Sequence, residues 1–438
     1  MAFFRPGERL FVGRGDEEVE KFAQFGRQRP GQVLAVDPRE GLLGGPTLSR
    51  RQLDVLCTGD ALEVVNINTC RAYFNGKEAL RGVLRPGDTV MLRNEVVLLC
   101  VLRPRELPPL PPGCELHPFG EPDPDGIVGE SPAAWRMRDQ LARAARGEDH
   151  VLILGESGTG KELAAAAVQK RSSRARGPFV SRNAATFSPA LIASELFGNP
   201  ANYPNPGMQA RKGLIGTAHG GTFFLDEVGE CPPEAQAQLL RVMDAGEYQG
   251  VGEATVRHVD LRFLAATNRD PSWFRPDFFA RFPVCIRLPP LRERPEDIPL
   301  LARRLLARPE LRFSVRFVDE LLRHPLPLNA RELYAIVTAS AGESKGEKLE
   351  WPASVPKGAT ATAAMATAAS AAGAQSAREP RAASRDAGPG GVPSREELLA
   401  CLEREDWNVA RVARRLGISR DAVNRLIKKY GIERKPAK

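Results

Sequence analysis

A glycine-rich segment follows a short apolar segment near the middle of the chain. Val151 to Leu154 has the length of a buried strand, and GESGTGK and the helical pattern ELAAAAVQK come directly after it. Glycines let the backbone curl so that its N–H groups face phosphates, and the helix N-terminus adds positive potential. Lys161 is expected to reach the β and γ phosphates. This strand, loop and helix predict a nucleotide-binding loop formed by Gly155, Glu156, Ser157, Gly158, Thr159, Gly160, Lys161 and Glu162.

Two carboxylates follow a second apolar segment, Gly221 to Leu225. Carboxylates at a strand end suit a magnesium ion and an attacking water. We predict that Asp226 holds Mg²⁺ through water and that Glu227 orients and polarises the nucleophile. An apolar segment followed by Asp-Glu is by itself also typical of a surface loop, but downstream of a phosphate loop it favours ATP hydrolysis.

The elements that position these residues fall into three predicted domains of the 438-residue chain. Proline-rich residues 104–125 and alanine-rich residues 351–393 are typical of linkers. We therefore predict an all-β sandwich at 1–103, an α/β P-loop ATPase domain with a helical lid at 126–350, and a small all-α helix-turn-helix at 394–438. The cysteines form no CxxC pair, and the N-terminus lacks the apolar segment of a signal peptide, so we expect a cytoplasmic protein.

The central domain resembles the AAA+ domain of bacterial enhancer-binding proteins, the activators of sigma-54 RNA polymerase. The shared motifs, in the family's order and spacing, are GESGTGKE, SELFG, GGTFFLDEVGE, AATNRD, RLPPLRERPEDI and ARELY. The family also carries Glu at the position of Glu162, where the general phosphate-loop pattern has Ser or Thr.

The resemblance implies a role for each matching residue. Asn183 matches a switch asparagine that hydrogen-bonds the catalytic glutamate, Asn268 matches the first sensor of the γ-phosphate, and Arg331 matches the second sensor. Arg275 and Arg281 match a pair of arginines supplied to the nucleotide of a neighbouring subunit. Planar guanidinium groups suit the spread charge of phosphoryl transfer. Such sharing between subunits implies a homo-oligomeric ring, usually a hexamer.

One loop departs from this family. SELFG is normally followed by Gly-Ala-Phe-Thr-Gly-Ala, which grips sigma-54, but residues 202–207 read Asn-Tyr-Pro-Asn-Pro-Gly at unchanged spacing. Prolines fix φ and stiffen the loop, and the threonine hydroxyl is absent. We expect the grip on sigma-54 to be lost or altered; the alternative is a rigid loop that makes a different contact.

The C-terminal segment has three short helical patterns, in a layout that resembles a Fis-type helix-turn-helix. From Arg411 onward there are ten Lys/Arg and two Asp/Glu, a stronger indication of nucleic-acid binding than the whole-chain charge of +8, which also suits a solvated basic surface. The predicted DNA-binding residues are Arg420, Asn424, Arg425, Lys428 and Lys429. A basic protein-binding bundle is the alternative.

The first segment has several short strand-like patterns separated by glycine and polar turns. This segment resembles a forkhead-associated (FHA) domain, which binds phosphothreonine peptides, in the short motifs GR, LSRRQ, NT, FNG and RPGD. The resemblance puts Arg14, Ser49 and Thr69 at phosphate- or peptide-binding positions, and Arg50 adds positive charge. Gln52 replaces the usual histidine, and Cys70 and Arg71 replace Asn-Gly, so a sandwich that no longer binds phosphopeptides is the alternative.

Together these features predict a DNA-binding, ATP-hydrolysing transcription regulator of the sigma-54 activator type, with ATP and Mg²⁺ as cofactors. Its expected partners are upstream DNA sites, a phosphothreonine-containing protein and further copies of itself, and contact with sigma-54 RNA polymerase depends on whether the substituted loop still grips it. The alternatives are a sigma-54-independent regulator or repressor that uses ATP only for assembly, and a pure phosphopeptide adaptor.

Overall fold

The computed structural model describes residues 2, 4–14, 21, 23, 27–28, 30, 48–93, 95–107, 109–110, 114–188, 191–203, 206–207, 209–270, 272 and 274–356, together with positions 398, 402, 412, 423 and 430. Among these residues, no helix is long and apolar enough to cross a membrane. The chain separates into two compact units, residues 1–367 and 368–438.

The described part of the N-terminal segment is built from strands. They are β1 Arg9–Val12, β2 Leu53–Cys57, β3 Leu62–Asn66, β4 Ala72–Phe74, β5 Lys77–Glu78, β6 Arg81–Leu84, β7 Thr89–Leu92 and β8 Val96–Leu99. Two antiparallel sheets, β1-β2-β3-β6 and β5-β4-β7-β8, share one apolar core that includes Leu53 and Val64 from the first sheet and Phe74 and Leu92 from the second. The strands therefore form a sandwich, while the assignment to the forkhead-associated family stays a prediction.

The central domain contains a five-stranded parallel sheet in the order β10-β11-β14-β9-β15. Its elements are α1 Pro132–Arg146, β9 Val151–Leu154, α2 Lys161–Lys170, β10 Phe179–Asn183, α3 Ile192–Phe197, α4 Leu214–Thr217, β11 Gly221–Asp226, α5 Pro233–Ala245, β12 Glu247–Tyr248, β13 Arg257–His258, β14 Leu261–Thr267, α6 Pro276–Phe279 and β15 Val284–Arg287.

The order of this sheet brings the predicted chemistry to one edge. β9, which leads into the phosphate loop, lies beside β14, and β14 lies beside β11, which ends at Asp226. All of these strands run parallel, so their carboxyl ends meet on the side where ligands bind in open α/β sheets. Fully buried Phe223, Phe224 and Phe263 anchor the two central strands in apolar cores on the two faces of the sheet.

A helical lid follows the sheet, as predicted for a P-loop ATPase of this class. Its elements are α7 Ile298–Leu305, β16 Arg312–Phe313, α8 Val315–Leu322, α9 Ala330–Glu343 and β17 Lys348–Leu349. Their apolar faces meet in one core around Phe317, Leu333 and Ile336. Val355 also belongs to this core, and Trp351 Nε1 donates to its carbonyl at 2.9 Å. The first residues of the predicted alanine-rich linker thus pack into the lid.

The sandwich touches the lid through polar groups removed from water. Thr89 Oγ1 on β7 donates to Asp319 Oδ1 on α8 at 2.7 Å, and both residues are almost fully buried. Arg103 pairs with Glu296 at 3.3 Å just before α7, with its own side chain only 4% exposed. The predicted proline-rich linker is not a free tether over its described length, because Leu107, His117 and Asp123 are buried.

Helical residues are also described in the second unit. Leu398, Leu402, Val412 and Val423 lie in helices with their side chains fully buried. The predicted DNA-binding residues Arg420, Asn424, Arg425, Lys428 and Lys429 lie outside the described residues.

Candidate nucleotide-binding site

The phosphate loop connects β9 to α2 and has two residues in backbone conformations that favour glycine. Gly160, at φ 98°, precedes the first residue of α2, and Gly158 has φ 77°. A Cβ on Gly158 would collide with the carbonyl oxygen of Leu328, so the loop and the segment before α9 approach at backbone distance. Thr159 Oγ1 closes the curl by donating to the Glu156 carbonyl at 2.8 Å. Glu162 is exposed on the first turn of α2.

Lys161 points into the space between the loop and the carboxylates of Asp226 and Glu227. Its ammonium group donates to the Gly155 carbonyl at 3.1 Å and lies 3.3 Å from Glu227 Oε1. The residue is only 7% exposed, so its charge is held beside the loop rather than in bulk water. The structure therefore joins the two motifs that were predicted to act together.

Glu227 has a strained backbone. Its φ of 48° and ψ of 45° are left-handed, which is uncommon for a residue with a Cβ and is typical of functional sites. This conformation ends β11 and turns the carboxylate across the site, where Oε2 accepts a hydrogen bond from the Asn268 amide N–H at 3.3 Å. Lys161, Glu227 and the backbone of Asn268 thus lie together, while the predicted role of Asn268 toward the γ-phosphate stays a prediction.

Asp226 lies deeper, at the last position of β11. Burial, reinforced by the neighbouring Glu227 carboxylate, raises the pKa of Asp226 above its ordinary value. A divalent cation would offset both effects, and carboxylate oxygen is a preferred ligand of Mg²⁺. The chemistry of this pair therefore fits the predicted magnesium site.

The predicted hydrogen bond between Asn183 and Glu227 is wrong for this structure. Asn183 Nδ2 donates instead to Asp226 Oδ2 at 3.3 Å, while Asn183 Oδ1 accepts from the Ala185 amide at 2.9 Å. The reason is register, because Asn183 and Asp226 are direct partners in the β10–β11 ladder. Glu227 lies one residue further on, where the left-handed backbone turns its side chain toward Lys161.

The lid reaches the phosphate loop through three side chains. Arg331 Nη1 donates to Ser157 Oγ at 2.9 Å, consistent with its predicted place beside the nucleotide. Arg292 makes two hydrogen bonds to the Glu156 carboxylate at 2.7 and 2.6 Å. Asn329 donates to Glu156 Oε2 at 3.2 Å and to the Ser157 carbonyl at 3.0 Å. The sequence prediction missed Arg292, which lies inside the motif RLPPLRERPEDI, and Asn329, which immediately precedes the motif ARELY.

The two arginines predicted to serve a neighbouring subunit lie on the surface. Arg275 forms a two-bond pair with Asp277, and Arg281 pairs with Asp244. Both guanidinium groups are roughly half exposed. Their hydrogen bonds within the chain therefore go to surface carboxylates and not to the nucleotide site.

A small cavity of about 110 Å³ adjoins the phosphate loop. It lies where the segment before α1, the loop and the lid meet, and apolar groups of Ile127, Val128 and Leu301 form much of its wall. An apolar slot beside a phosphate loop suits the base of a nucleotide. The sequence did not predict that these residues line a cavity, because they come from distant parts of the chain and meet only in the folded structure.

The predicted phosphopeptide residues lie on two neighbouring loops of the sandwich. The Arg14 amide donates to the Ser49 carbonyl at 3.2 Å, which brings Arg14, Ser49 and Arg50 together. Gln52 is fully buried; its Oε1 accepts from the Ser49 amide at 3.2 Å and its Nε2 donates to the Cys70 carbonyl at 3.2 Å. Gln52 thus ties the loop of Ser49 to the loop of Thr69.

Asn199 ties together the described residues at both ends of the substituted loop. Asn199 Nδ2 donates to the carbonyls of Pro200, Tyr203 and Gln209 at 2.9, 3.2 and 3.3 Å. The Tyr203 ring covers Gly252 in the turn between β12 and β13, where an added Cβ would lie 2.7 Å from the ring. Pro204 and Asn205 lie outside the described residues.

Comparison with known proteins agrees with this domain order. Residues 127–286 match the Sigma-54 interaction domain family, and residues 394–430 match the Fis family of bacterial regulatory proteins. These two matches support the class of sigma-54-dependent transcriptional activators.

Individual relatives are similar over about 70% of the chain. It is 37% identical over 351 residues to the Nif-specific regulatory protein of Bradyrhizobium diazoefficiens, an alignment covering 70% of this chain and 60% of that protein. It is 38% identical over 322 residues to the transcriptional regulatory protein XylR of Pseudomonas putida, covering 69% and 56%. The chain thus spans about three fifths of the length of these relatives. Among solved structures, the crystal structure of NtrX from Brucella abortus in complex with ATP has 29% sequence identity to this chain and a TM-score of 0.47. The alignment covers 70% of this chain and 69% of the NtrX chain.

Proposed function

We propose that the chain is a DNA-binding transcription regulator of the sigma-54 activator type that hydrolyses ATP as a homo-oligomeric, hexameric ring in the cytoplasm. The observation that carries this proposal is the cluster of Lys161, Glu227 and Asn268 at the end of the phosphate loop. It combines a buried cation, a carboxylate held in a strained backbone and a polar residue that directly follows the neighbouring strand β14, which are the groups that ATP hydrolysis needs.

In this proposal each group has one task. Lys161 binds the β and γ phosphates, and Asn268 contacts the γ-phosphate. Glu227 orients the attacking water and accepts its proton. Asp226 would hold Mg²⁺ through water, and the bound ion would neutralise phosphate charge. Arg331 would contact the nucleotide from the lid.

Two further features support binding of a whole nucleotide and action in a ring. The cavity at Ile127, Val128 and Leu301 would take the base. Arg275 and Arg281 would leave their surface carboxylates and contact the nucleotide of the adjacent subunit. Exposed arginines with weak, solvent-screened partners can change partners at low cost.

The test measures ATPase activity and sigma-54 binding together. The purified chain is assayed for ATP turnover, and sigma-54 binding is measured with the protein trapped by ADP and aluminium fluoride. Turnover with sigma-54 binding supports an activator in which Asn-Tyr-Pro-Asn-Pro-Gly is a working loop. Absence of turnover under any oligomeric condition contradicts the proposal.

The contacts of Asn199 and Tyr203 favour a second function. A loop tied by Asn199 and packed through Tyr203 on Gly252 is poorly suited to extend toward a partner. The chain would then be a sigma-54-independent regulator or repressor that uses ATP for assembly. Placing Gly-Ala-Phe-Thr-Gly-Ala at 202–207 distinguishes the two functions. Promoter opening is gained only if the family's loop supplies a contact with sigma-54 that Asn-Tyr-Pro-Asn-Pro-Gly does not make.

The front sandwich is proposed to sense a phosphothreonine-containing protein through Arg14, Ser49, Arg50 and Thr69. The support is the way Gln52 holds the two loops side by side in the place of the usual histidine. Titration with a phosphothreonine peptide library tests this, with the unphosphorylated peptides as controls. Binding that is indifferent to Arg14→Ala and Ser49→Ala would contradict it.

The C-terminal segment is proposed to bind upstream DNA through Arg420, Asn424, Arg425, Lys428 and Lys429. Its support is the Fis-family match and the concentration of basic residues. A fluorescence anisotropy titration with genomic DNA fragments should show binding that weakens steeply with salt. Unchanged DNA affinity after deletion of 394–438 would exclude this role, whereas intact function of the truncated chain would favour the pure phosphopeptide adaptor.

A further inference from the structure

Asn329 has the most constrained backbone of the site. Its φ is 52° and its ψ is −130°, a combination that a residue with a Cβ rarely adopts, and its side chain is buried with the residue 1% exposed. Such strain persists only where surrounding contacts determine it. Here the contacts are three hydrogen bonds of the side-chain amide.

These hydrogen bonds join three separate segments. Asn329 Nδ2 donates to Glu156 Oε2 and to the Ser157 carbonyl in the phosphate loop, and Asn329 Oδ1 accepts from the Leu291 amide at 2.8 Å. Leu291 lies at the entrance to the lid, after β15. One side chain therefore fixes the beginning of the lid and the start of α9 against the loop.

Two neighbouring contacts depend on this arrangement. The Ala330 amide donates to the Gly158 carbonyl at 3.1 Å, and Arg331 reaches Ser157 Oγ from the next residue. On the outer side Arg292 pairs with the same Glu156 carboxylate that Asn329 contacts, and the pair is partly exposed to solvent. Hydrogen bonds to a charged group are stronger than those between neutral groups.

From this geometry we infer that Asn329 and Arg292 form a latch, defined by these two residues and Glu156, that holds the lid on the phosphate loop and sets the position of Arg331. The inference rests on the proposed binding of ATP. Asn329 is a positioning residue, since it acts through the loop backbone and Arg331. The latch preorganises the loop for phosphate, and without it part of the binding energy of the nucleotide is spent on ordering the loop.

The expected consequence is weaker nucleotide binding. Loss of hydrogen bonds to a charged carboxylate and a buried carbonyl corresponds to roughly 10- to 100-fold in affinity for ADP and ATP. The KM for ATP should rise by a similar factor, while kcat changes less, because Lys161, Glu227 and Asn268 lie outside the latch.

The experiment uses the full chain and four variants. Affinity for ADP is measured by calorimetry, and KM and kcat for ATP by steady-state hydrolysis, for Asn329→Ala, Asn329→Gly, Arg292→Ala and the control Arg308→Ala. Arg308 is an exposed lid arginine paired with Glu310 at 2.9 Å and should behave as wild type. Asn329→Gly accepts the strained backbone but lacks the amide, so it separates hydrogen bonding from strain.

The latch predicts that Asn329→Gly and Asn329→Ala both weaken ADP binding. Arg292→Ala, which truncates a side chain that is 53% exposed, should weaken it as well. A double-variant cycle with Glu156→Ala should be non-additive, because both residues act on that carboxylate. Wild-type ADP affinity in Asn329→Gly, or in Arg292→Ala, overturns the latch. A wild-type chain that does not bind ADP overturns the proposed function itself.

Discussion

Replacing Glu227 with Gln tests the assignment of the catalytic base. The substitution keeps the size and the left-handed backbone of the residue, and it removes the charge that polarises water. Loss of a general base typically costs about 10²- to 10⁴-fold in rate. We expect kcat to fall by that factor while ATP still binds, because Lys161 and the phosphate loop are unchanged.

The effect on folding is set by two opposing contributions. The ion pair between Glu227 and Lys161 at 3.3 Å is largely buried, and loss of the charged partner costs about 1–3 kcal/mol. Against this loss, the buried Asp226 is relieved of a like charge that helps raise its pKa. We therefore expect the free energy of unfolding to fall by no more than about 3 kcal/mol.

The assay combines steady-state ATP hydrolysis, nucleotide binding by calorimetry and urea unfolding. The control is Glu230→Gln, the same chemical change three residues later, where the carboxylate pairs on the surface with Arg269 at 2.6 Å. Turnover in Glu227→Gln within tenfold of wild type would refute the assignment. Equal loss of turnover in both variants would show that the effect comes from local charge rather than from a base.

Three further predictions concern the structure around the site. Gly158→Ala should abolish measurable ATP binding in calorimetry, because its Cβ meets the Leu328 carbonyl, whereas Gly160→Ala has open space and should show only backbone strain of about 1–2 kcal/mol in urea unfolding. Burial lowers the pKa of His150, whose Nδ1 accepts a hydrogen bond from the Phe263 backbone amide at 3.1 Å. Because the unfolded chain then binds the proton more readily than the folded chain, the free energy of unfolding should fall as the pH drops below about 6.5. Urea unfolding at several pH values should show a smaller decline in His150→Asn, and an identical decline would contradict this. Thr89→Val leaves the buried Asp319 without one hydrogen bond and should lower the free energy of unfolding by about 1–3 kcal/mol. The matched change at an exposed threonine, Thr58→Val, should leave the free energy of unfolding unchanged.

Much of the ATPase domain could be predicted from the sequence because its signals are local. The phosphate loop and the Asp226-Glu227 pair each follow a continuous apolar strand, and the structure places both at the carboxyl edge of one parallel sheet. The lid was predicted for the same reason, since its motifs are contiguous and appear in the expected order. The sequence by itself therefore determined that the phosphate loop and the Asp226-Glu227 pair would lie at one edge of the sheet.

The tertiary structure decided contacts that depend on distant segments. Whether Asn183 reaches Asp226 or Glu227 follows from the register of two strands, which no local pattern states. The role of Asn329 appears only when the entrance to the lid, the start of α9 and the phosphate loop converge on one amide. The base cavity and the docking of Thr89 on Asp319 likewise belong to pairs of elements far apart in the chain. Local residue patterns specify strands, helices and turns, whereas register and packing between elements are set by the sum of many weak, long-range contacts.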